Sequence, residues 1–210
     1  MTHLKIIEKV CNAAPIIPVL TIARIEDARP LAQALVNGGL PALEITLRTP
    51  IAMQAIAEMV KVPGAMVGVG TLLTAEQVRN AKKSGATFGV SPGSTPSLIA
   101  AAEKFDLPLL PGAATPSEAM CLLEQGFLFQ KFFPAETSGG AKALGAFAAP
   151  LPQIKFCPTG GINGTNAGTY LSLPNVVCAG GSWMAPKTLM ATQAWAEITQ
   201  IARLAADLHP

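Results

Sequence analysis

The sequence predicts an α/β fold in which eight parallel strands alternate with helices and close into a (β/α)₈ barrel of the TIM type. Short β-rich segments recur along the chain, and stretches rich in Ala, Leu and Glu at helical spacing separate them. Alternation of strand and helix implies parallel pairing. A length of 210 residues is at the low end of the usual barrel size. No charge block, Ser-rich linker or shift in composition divides the chain, so we predict one domain over residues 1–210.

Each element has its own local signal. The strands are predicted at 16–21, 42–46, 66–70, 87–90, 107–110, 127–133, 154–157 and 176–179. The helices between them are predicted at 27–37, 51–60, 74–84, 96–104, 116–125 and 140–148. Thr74 and Gln77 have the spacing of a capping box, and Thr115 precedes a proline suited to the first helical position. A doubly wound open sheet is the structural alternative, but no G-x-G-x-x-G pattern follows the first strand.

Composition excludes several functional classes. The net charge is +2 and the basic residues are scattered, so we expect no nucleic-acid partner. No apolar stretch reaches the roughly 18 residues that a membrane helix needs. The apolar segment 13–20 is short, contains two prolines and follows a charged stretch, unlike a secretory signal. We therefore expect a cytoplasmic protein. Half of the residues are hydrophobic and 13% are charged, which indicates a heavily buried sheet and is compatible with apolar subunit contacts.

The cysteines and histidines do not have the spacing of metal ligands. The four cysteines occur singly, without paired zinc or redox spacing, and are interpreted as small buried thiols. The two histidines, His3 and His209, lie at the chain ends, where we expect fraying. The sequence therefore predicts no metal site and no histidine base, and a carboxylate or a lysine would have to move protons.

Lys131 lies in an apolar run, residues 127–134, where a cation loses hydration. Burial favours the neutral amine, which is the form that a Schiff-base lysine needs. The competing interpretation is a lysine at a strand end whose head reaches water. Alternation places Lys131 on one face with Phe127, Phe129 and Phe133, near the exit of the sixth strand. Lys155 is the rival lysine, but it lies about 13 Å further down its strand at ~3.3 Å per residue.

Glu44 is the acidic residue that the pattern places inside a strand. Alternation turns Glu44, Thr46 and Arg48 to one face, while the aliphatic residues between them suit the helix layer. Glu44 is therefore predicted to point into the barrel, where it would act as a proton shuttle. The structural alternative is a buried ion pair without a catalytic role.

Glycine pairs follow the seventh and eighth predicted strands, at Gly160-Gly161 and at Gly180-Gly181 before Ser182. Glycines there allow backbone N–H groups to converge on an oxyanion, and barrels often bind phosphate in these two loops. One Gly-Gly pair is a weak signal, because most such pairs are turns. Two pairs at matched positions favour a phosphate site.

Taken in order along the chain, the motifs resemble those of the 2-keto-3-deoxy-6-phosphogluconate (KDPG) aldolase and 4-hydroxy-2-oxoglutarate (KHG) aldolase family. The matching segments are 43–49, 68–71, 91–93, 131–136, 157–162 and 180–183. The resemblance implies a class I aldolase barrel, usually a homotrimer, that needs neither metal nor cofactor. It also implies a step of the Entner–Doudoroff pathway, with a phosphorylated keto-sugar acid and pyruvate as small-molecule partners.

The resemblance also implies roles for individual residues. Lys131 matches the Schiff-base lysine and Glu44 the general acid and base. Arg48 and Thr71 match residues that contact the pyruvate carboxylate, and Pro92 and Phe133 match the packing around the imine. Thr159 matches a position tied to stereochemical control. The phosphate site is matched by Gly160, Gly161, Gly181 and Ser182.

Three places depart from the family pattern. Val69 stands where alanine is expected, Ser94 replaces a leucine, and Ala113-Ala114 replace a bulkier residue and a serine. We expect the first to be a packing change and the other two to alter the fit of substrate.

The expected reaction is reversible cleavage of KDPG to pyruvate and D-glyceraldehyde 3-phosphate, with KHG cleavage to pyruvate and glyoxylate as a second activity. Two alternatives keep the same fold. One is a sugar-phosphate isomerase or epimerase with Glu44 as base and Lys131 acting only through its charge. The other is a non-catalytic phosphate-ligand binding protein in which the Glu44–Lys131 pair is structural.

Overall fold

The computed structural model describes residues 2–208 and has an α/β fold. Its strands are β1 (Ile16–Leu20), β2 (Ala42–Thr46), β3 (Met66–Gly70), β4 (Phe88–Val90), β5 (Leu109–Leu110), β6 (Gly112–Ala113), β7 (Phe129–Phe132), β8 (Lys155–Pro158) and β9 (Ala179–Gly181). Its helices are α1 (His3–Cys11), α2 (Ala28–Asn37), α3 (Ala52–Met59), α4 (Ala75–Lys83), α5 (Pro96–Lys104), α6 (Pro116–Glu124), α7 (Gly140–Ala146), α8 (Ala167–Leu171), α9 (Lys187–Ala191) and α10 (Trp195–Ala206). A short 3₁₀ helix, Ile25–Asp27, precedes α2.

All strand pairs are parallel, as predicted. Six strands form one curled sheet in the order β5-β4-β3-β2-β1-β9, and β6-β7-β8 form a second. Isolated parallel bridges join Phe156 to Val176 and Thr159 to Gly180, beside β8 and β9. The predicted strand 107–110 is therefore replaced by two short strands on either side of Pro111.

Pro111 explains where the two sheets separate. Leu110 pairs with Val90 in β4, whereas Gly112 pairs with Lys131 in β7. Proline has no amide hydrogen to continue a ladder, but its carbonyl still accepts a hydrogen bond of 2.8 Å from the Lys131 N–H. One extended stretch of chain thus serves β4 on one side and β7 on the other.

The core has two parts. Aliphatic side chains between the strands and the helices form the larger cluster. A second cluster fills the interior enclosed by the strands and includes Ile17, Phe88 and Leu110. Helix α1 contributes Ile7, Val10 and Cys11 to this interior cluster. It lies against the first residues of the strands and leaves their carboxyl ends open for a site.

Most predicted elements are confirmed to within a few residues, and the capping boxes at Thr74 and Thr115 are present. The last strand is displaced: only an isolated bridge involves Val176, and β9 begins at Ala179. The prediction did not identify α1, α8, α9 or α10. Among these, α10 packs on α2 at Gly38, where an added Cβ atom would overlap Ala202.

The expectation for the histidines is wrong at His3, and His209 lies outside the described residues. His3 begins α1, and its Nε2 lies 2.8 Å from Asp106 Oδ1. Asp106 also accepts a hydrogen bond of 2.9 Å from Lys82 Nζ. Hydrogen bonds from Lys82 and then His3 lower the pKa of Asp106 to about 2. The start of the chain is thus held at the amino ends of the strands.

Three of the four cysteines are buried, as predicted. Cys11, Cys157 and Cys178 belong to the interior cluster, while Cys121 is exposed on α6, which corrects the prediction for that residue. Hydrogen bonding to Cys11 and then Cys157, together with burial, raises the pKa of the Cys178 thiol well above its ordinary value. A protonated, buried thiol is a packing group rather than a nucleophile.

Candidate active site

Lys131 and Glu44 meet in the interior between the strands. Lys131 Nζ lies 3.2 Å from Glu44 Oε1 and 3.4 Å from Oε2, although 87 residues separate them in sequence. The two residues are 5% and 3% exposed, so the pair is largely shielded from bulk water. All five residues of β2 are buried, and alternation directs Glu44 away from the aliphatic side that faces the helices. The pair forms a desolvated amine and carboxylate within proton-transfer distance.

Gly70, at the end of β3, makes room for this carboxylate. In the parallel register Thr46 is opposite Gly70, and a Cβ atom added there would overlap the Glu44 carboxyl group. Gly70 lies within the matching segment 68–71, but its sequence context alone assigns it no role. A glycine beside a buried charged residue on the neighbouring strand is the signal that could have identified it.

An aromatic ring and a backbone ladder fix Lys131. Its Nζ lies 5.2 Å from the centroid of the Phe133 ring, close enough for a cation–π contact. The backbone of Lys131 is opposite both Gly112 and Cys157, so β7 is supported on two sides. The rival Lys155 is exposed at the start of β8, where its Nζ donates to the Pro174 carbonyl at 2.8 Å. Lys155 is therefore not at the site.

Arg48 and Thr71 both follow strands at the carboxyl end. Arg48 is exposed just after β2, and among residues 2–208 it forms no ion pair, so its guanidinium is free for an anionic ligand. Thr71, directly after β3, has a φ of 64°. A β-branched residue in the left-handed region is strained, and such strain gathers at functional sites.

Pro92 lies in the loop after β4, and this loop is held against β6. The Pro92 carbonyl occupies the space that a side chain at Gly112 would need. Ser94 Oγ donates to the Gly112 carbonyl at 2.8 Å, and Ser91 Oγ accepts from the Gly112 N–H at 3.4 Å. The serine that replaces an expected leucine at position 94 thus ties two strand exits together.

Ala113 and Ala114, which depart from the family pattern, lie in β6 and just before α6. Ala113 is 2% exposed within β6. Ala114 donates its N–H to Glu118 Oε2 at 2.8 Å, at the start of α6.

The two glycine segments lie side by side. The bridge between Thr159 and Gly180 aligns Gly160 with Gly181. Gly160 and Gly161 have φ values of 103° and 81°, a backbone shape that other residues rarely adopt. Side chains on either glycine of the second segment would also clash, at Gly180 with Thr159 and at Gly181 with the Trp183 ring. Gly180, predicted as part of the second glycine pair, is the residue whose missing side chain allows the close approach to Thr159.

A buried tyrosine supports the first glycine segment from behind. The Tyr170 hydroxyl donates to Glu136 Oε1, and Glu136 fills the space beside Gly161. The Glu136 N–H in turn donates to the Gly160 carbonyl at 3.1 Å. Burial, and then the Glu136 carboxylate, raise the pKa of Tyr170 well above its ordinary value, so this phenol remains a donor at physiological pH.

Two open cavities, of about 440 and 500 Å³, lie at the opposite end of the molecule. They flank α1, and no residue that lines them belongs to the predicted site. In the part of the chain that the structure describes, no group of three or more His, Cys, Asp or Glu side chains could hold a metal ion. Within the same residues, no helix is long and apolar enough to cross a membrane.

A parallel α/β sheet with a buried lysine–carboxylate pair, beside paired glycine loops at the strand exits, is the arrangement that an aldolase acting through a lysine would require. The comparisons with known proteins agree. The profile of the KDPG and KHG aldolase family matches residues 7–201.

A 2-dehydro-3-deoxy-phosphogluconate aldolase of Pseudoalteromonas atlantica is 46% identical, over 94% of this chain and 93% of its own. The crystal structure of the KDPG aldolase of Zymomonas mobilis ZM4 with 3-phosphoglycerate superposes with a TM-score of 0.90 at 46% identity, covering 96% of this chain and 95% of that one. The KDPG aldolase of Legionella pneumophila, with pyruvate captured as a covalent carbinolamine, has a TM-score of 0.91 at 44% identity, covering 94% and 97%.

The chain belongs to the KDPG and KHG aldolase family, and it is a carbon–carbon lyase.

Proposed function

We propose that this enzyme cleaves KDPG to pyruvate and D-glyceraldehyde 3-phosphate through a Schiff base on Lys131, and that it also cleaves KHG to pyruvate and glyoxylate. The observation that carries the proposal is the buried contact of 3.2 Å between Lys131 Nζ and Glu44 Oε1. A Schiff-base aldolase needs a desolvated amine and a proton shuttle within reach of one carbon chain, and this pair supplies both.

The proposed reaction begins with the transfer of a proton from the Lys131 ammonium to Glu44. The neutral amine attacks the C2 ketone, and a proton moves from the attacking nitrogen to the oxygen to give a carbinolamine. Glu44 returns its proton to the carbinolamine hydroxyl, which leaves as water and gives an iminium. Glu44, again a carboxylate, removes the C4 hydroxyl proton directly or through a water. The electrons of the C3–C4 bond move to the iminium, which becomes an enamine, and the aldehyde leaves. Glu44 then protonates C3, and hydrolysis frees pyruvate and Lys131.

Four residues are proposed to bind the pyruvate end. Arg48 and Thr71 contact the carboxylate, and the unpaired Arg48 guanidinium and the strained Thr71 backbone support these assignments. Pro92 and Phe133 pack around the imine, and the position of the Phe133 ring beside Lys131 Nζ supports this. We propose that Thr159, which is 6% exposed beside Gly180, contributes to stereochemical control.

The phosphate is proposed to bind between Gly160-Gly161 and Gly181-Ser182. Backbone N–H groups in such a concavity bind a dianion without a cluster of arginines. Support comes from the adjacency of the two segments, from the exposed Ser182 hydroxyl, and from the phosphorylated ligand of the Zymomonas mobilis relative.

We also infer that the strands close into a (β/α)₈ barrel formed by a single domain, residues 1–210. If β5 and β6 are counted as one strand interrupted at Pro111, the nine segments become eight. The bridge between Thr159 and Gly180 lies where the last two strands would close the ring.

We also propose that the protein is a homotrimer and that it is located in the cytoplasm. The resemblance to the family supports a homotrimer, which light scattering would detect as a particle of three 21.7 kDa chains. A doubly charged phosphate ester does not cross a membrane unaided, which supports a cytoplasmic location where such a substrate is retained.

Reductive trapping tests the proposed function. Borohydride added with pyruvate should inactivate the enzyme and attach one reduced pyruvyl group, which peptide mass spectrometry should locate at Lys131. Borohydride alone is the control. Labelling at Lys155, or no labelling, would exclude Lys131 as the nucleophile.

A further inference from the structure

Thr21, the residue after β1, makes a hydrogen bond whose direction can be assigned. Thr46 Oγ1 lies 2.8 Å from the Leu20 carbonyl and 3.0 Å from Thr21 Oγ1. A threonine hydroxyl has one hydrogen, and a carbonyl can only accept. Thr46 therefore donates to Leu20 and must accept from Thr21. This leaves the Thr21 oxygen with free lone pairs and no free hydrogen, so toward any ligand it acts only as an acceptor.

The position of Thr21 links the two halves of the proposed site. Strand β1 lies between β2 and β9, with Val19 opposite Glu44 and Pro18 opposite Gly181. Thr21 extends β1 beyond these pairs to the carboxyl end, where it is exposed. Its partner Thr46 is 1% exposed and, two residues after Glu44, lies on the same face of β2.

A chain that reaches from Glu44 on β2 to the loop containing Ser182 after β9 passes the exit of β1, because β1 lies between these two strands. We propose that Thr21 is a specificity-determining residue that accepts a hydrogen bond from a substrate hydroxyl lying between the cleaved bond and the phosphate. In KDPG this is the hydroxyl on C5. The inference rests on the proposed function, because it assumes that the substrate spans these two subsites.

Aldol addition with two aldehydes tests this inference. D-glyceraldehyde 3-phosphate carries the relevant hydroxyl on its C2, whereas 3-oxopropyl phosphate has the same length and phosphate but no hydroxyl. In Thr21→Val, an isosteric change, the ratio of kcat/KM for the first aldehyde over the second should fall about tenfold, the size expected for one lost hydrogen bond. Thr21→Ser keeps the acceptor and should restore the ratio.

Thr199→Val is the matched control. Thr199 lies on α10, outside the strands, and its hydroxyl donates to the Ala34 carbonyl on α2 at 3.1 Å. Loss of this hydrogen bond should leave the ratio unchanged. If the valine variant does not fold, Thr21→Ala is expected to show the same change. An unchanged ratio in a folded Thr21 variant overturns the inference. Failure of the proposed function would look different, because the wild-type enzyme would then join pyruvate to neither aldehyde.

Discussion

The contact between Lys131 and Glu44 places two charged groups where water cannot stabilise either one. Removal of two ions from water costs several kcal/mol each, and their attraction offsets this only when the geometry is good. Such a pair is weak evidence for stability and stronger evidence for chemistry, because the proton can move between partners without a solvent shell to reorganise. The Phe133 ring contacts the amine, and the missing side chain at Gly70 leaves the space that the carboxylate occupies.

Glu44→Gln tests the proton shuttle. The amide keeps the shape of the carboxyl group but cannot cycle a proton, so kcat should fall by roughly 10²–10⁴-fold. Trapping of pyruvate on Lys131 by borohydride should remain detectable. A fall of less than about threefold in a variant with wild-type circular dichroism would assign the proton transfers to another group.

Gly70→Ala tests whether the position of this carboxylate matters. The added methyl group overlaps the Glu44 carboxyl and must displace it, and a shift of about 1 Å in a catalytic group can cost about 10² in rate. Gly168→Ala is the control, because nothing lies within 4 Å of an added Cβ there. Equal kcat values for the two variants would mean that Glu44 does not need its observed position.

Among whole elements, the loops after β8 and β9 form a unit that neither could form alone. The bridge between Thr159 and Gly180 brings them together, and the hydrogen bond between Tyr170 and Glu136 supports one of them from behind. The phosphate site proposed here is remote from the C3–C4 bond, so its binding energy would be available to position a phosphorylated substrate.

Ser182→Glu tests the phosphate assignment at this scale. A bulky carboxylate there should repel the dianion, so kcat/KM for KDPG should fall by about 10² or more while KHG cleavage hardly changes. Ser172→Glu, at the end of α8, adds the same charge to an exposed serine and should affect neither substrate. A parallel loss of both activities in Ser182→Glu would show that Ser182 serves packing instead.

The molecule as a whole has two different ends. Helix α1 closes the amino ends of the strands, where His3, Lys82 and Asp106 form a charged cluster, and the loops at the carboxyl ends carry the site. Chemistry and closure are thus separated along the strands, as is usual for parallel α/β folds.

Chelation tests the electrophile used by the whole enzyme. In a Schiff-base mechanism the iminium accepts the electrons that a metal would otherwise stabilise, so EDTA should leave KDPG cleavage unchanged. Activity that disappears with EDTA and returns with a divalent cation would indicate a metal-dependent aldolase. The same assay with borohydride and pyruvate distinguishes this outcome from general loss of the enzyme.

Local patterns in the sequence determined much of the fold. Beta-rich segments and helical spacing placed most strands and helices to within a few residues. Capping residues at Thr74 and Thr115 marked two helix starts, since helix ends depend on nearby side chains. Alternation predicted that Glu44 points inward and that Lys131 shares a face with Phe129 and Phe133, because the side-chain period of a strand is a local property. Helices α1 and α10 were missed although their buried residues recur at helical spacing, as Ile7, Val10 and Cys11 do in α1.

Only the tertiary structure decided how these residues meet. The contact between Glu44 and Lys131 spans 87 residues, and it depends on the register of every strand between them and on the space left by Gly70. The division of the ladder at Pro111 and the direction of the hydrogen bond from Thr21 to Thr46 also depend on which strands lie side by side. The local alternation of a strand fixes the face on which a side chain lies. The distance between side chains on different strands is set only when the sheet folds and curls.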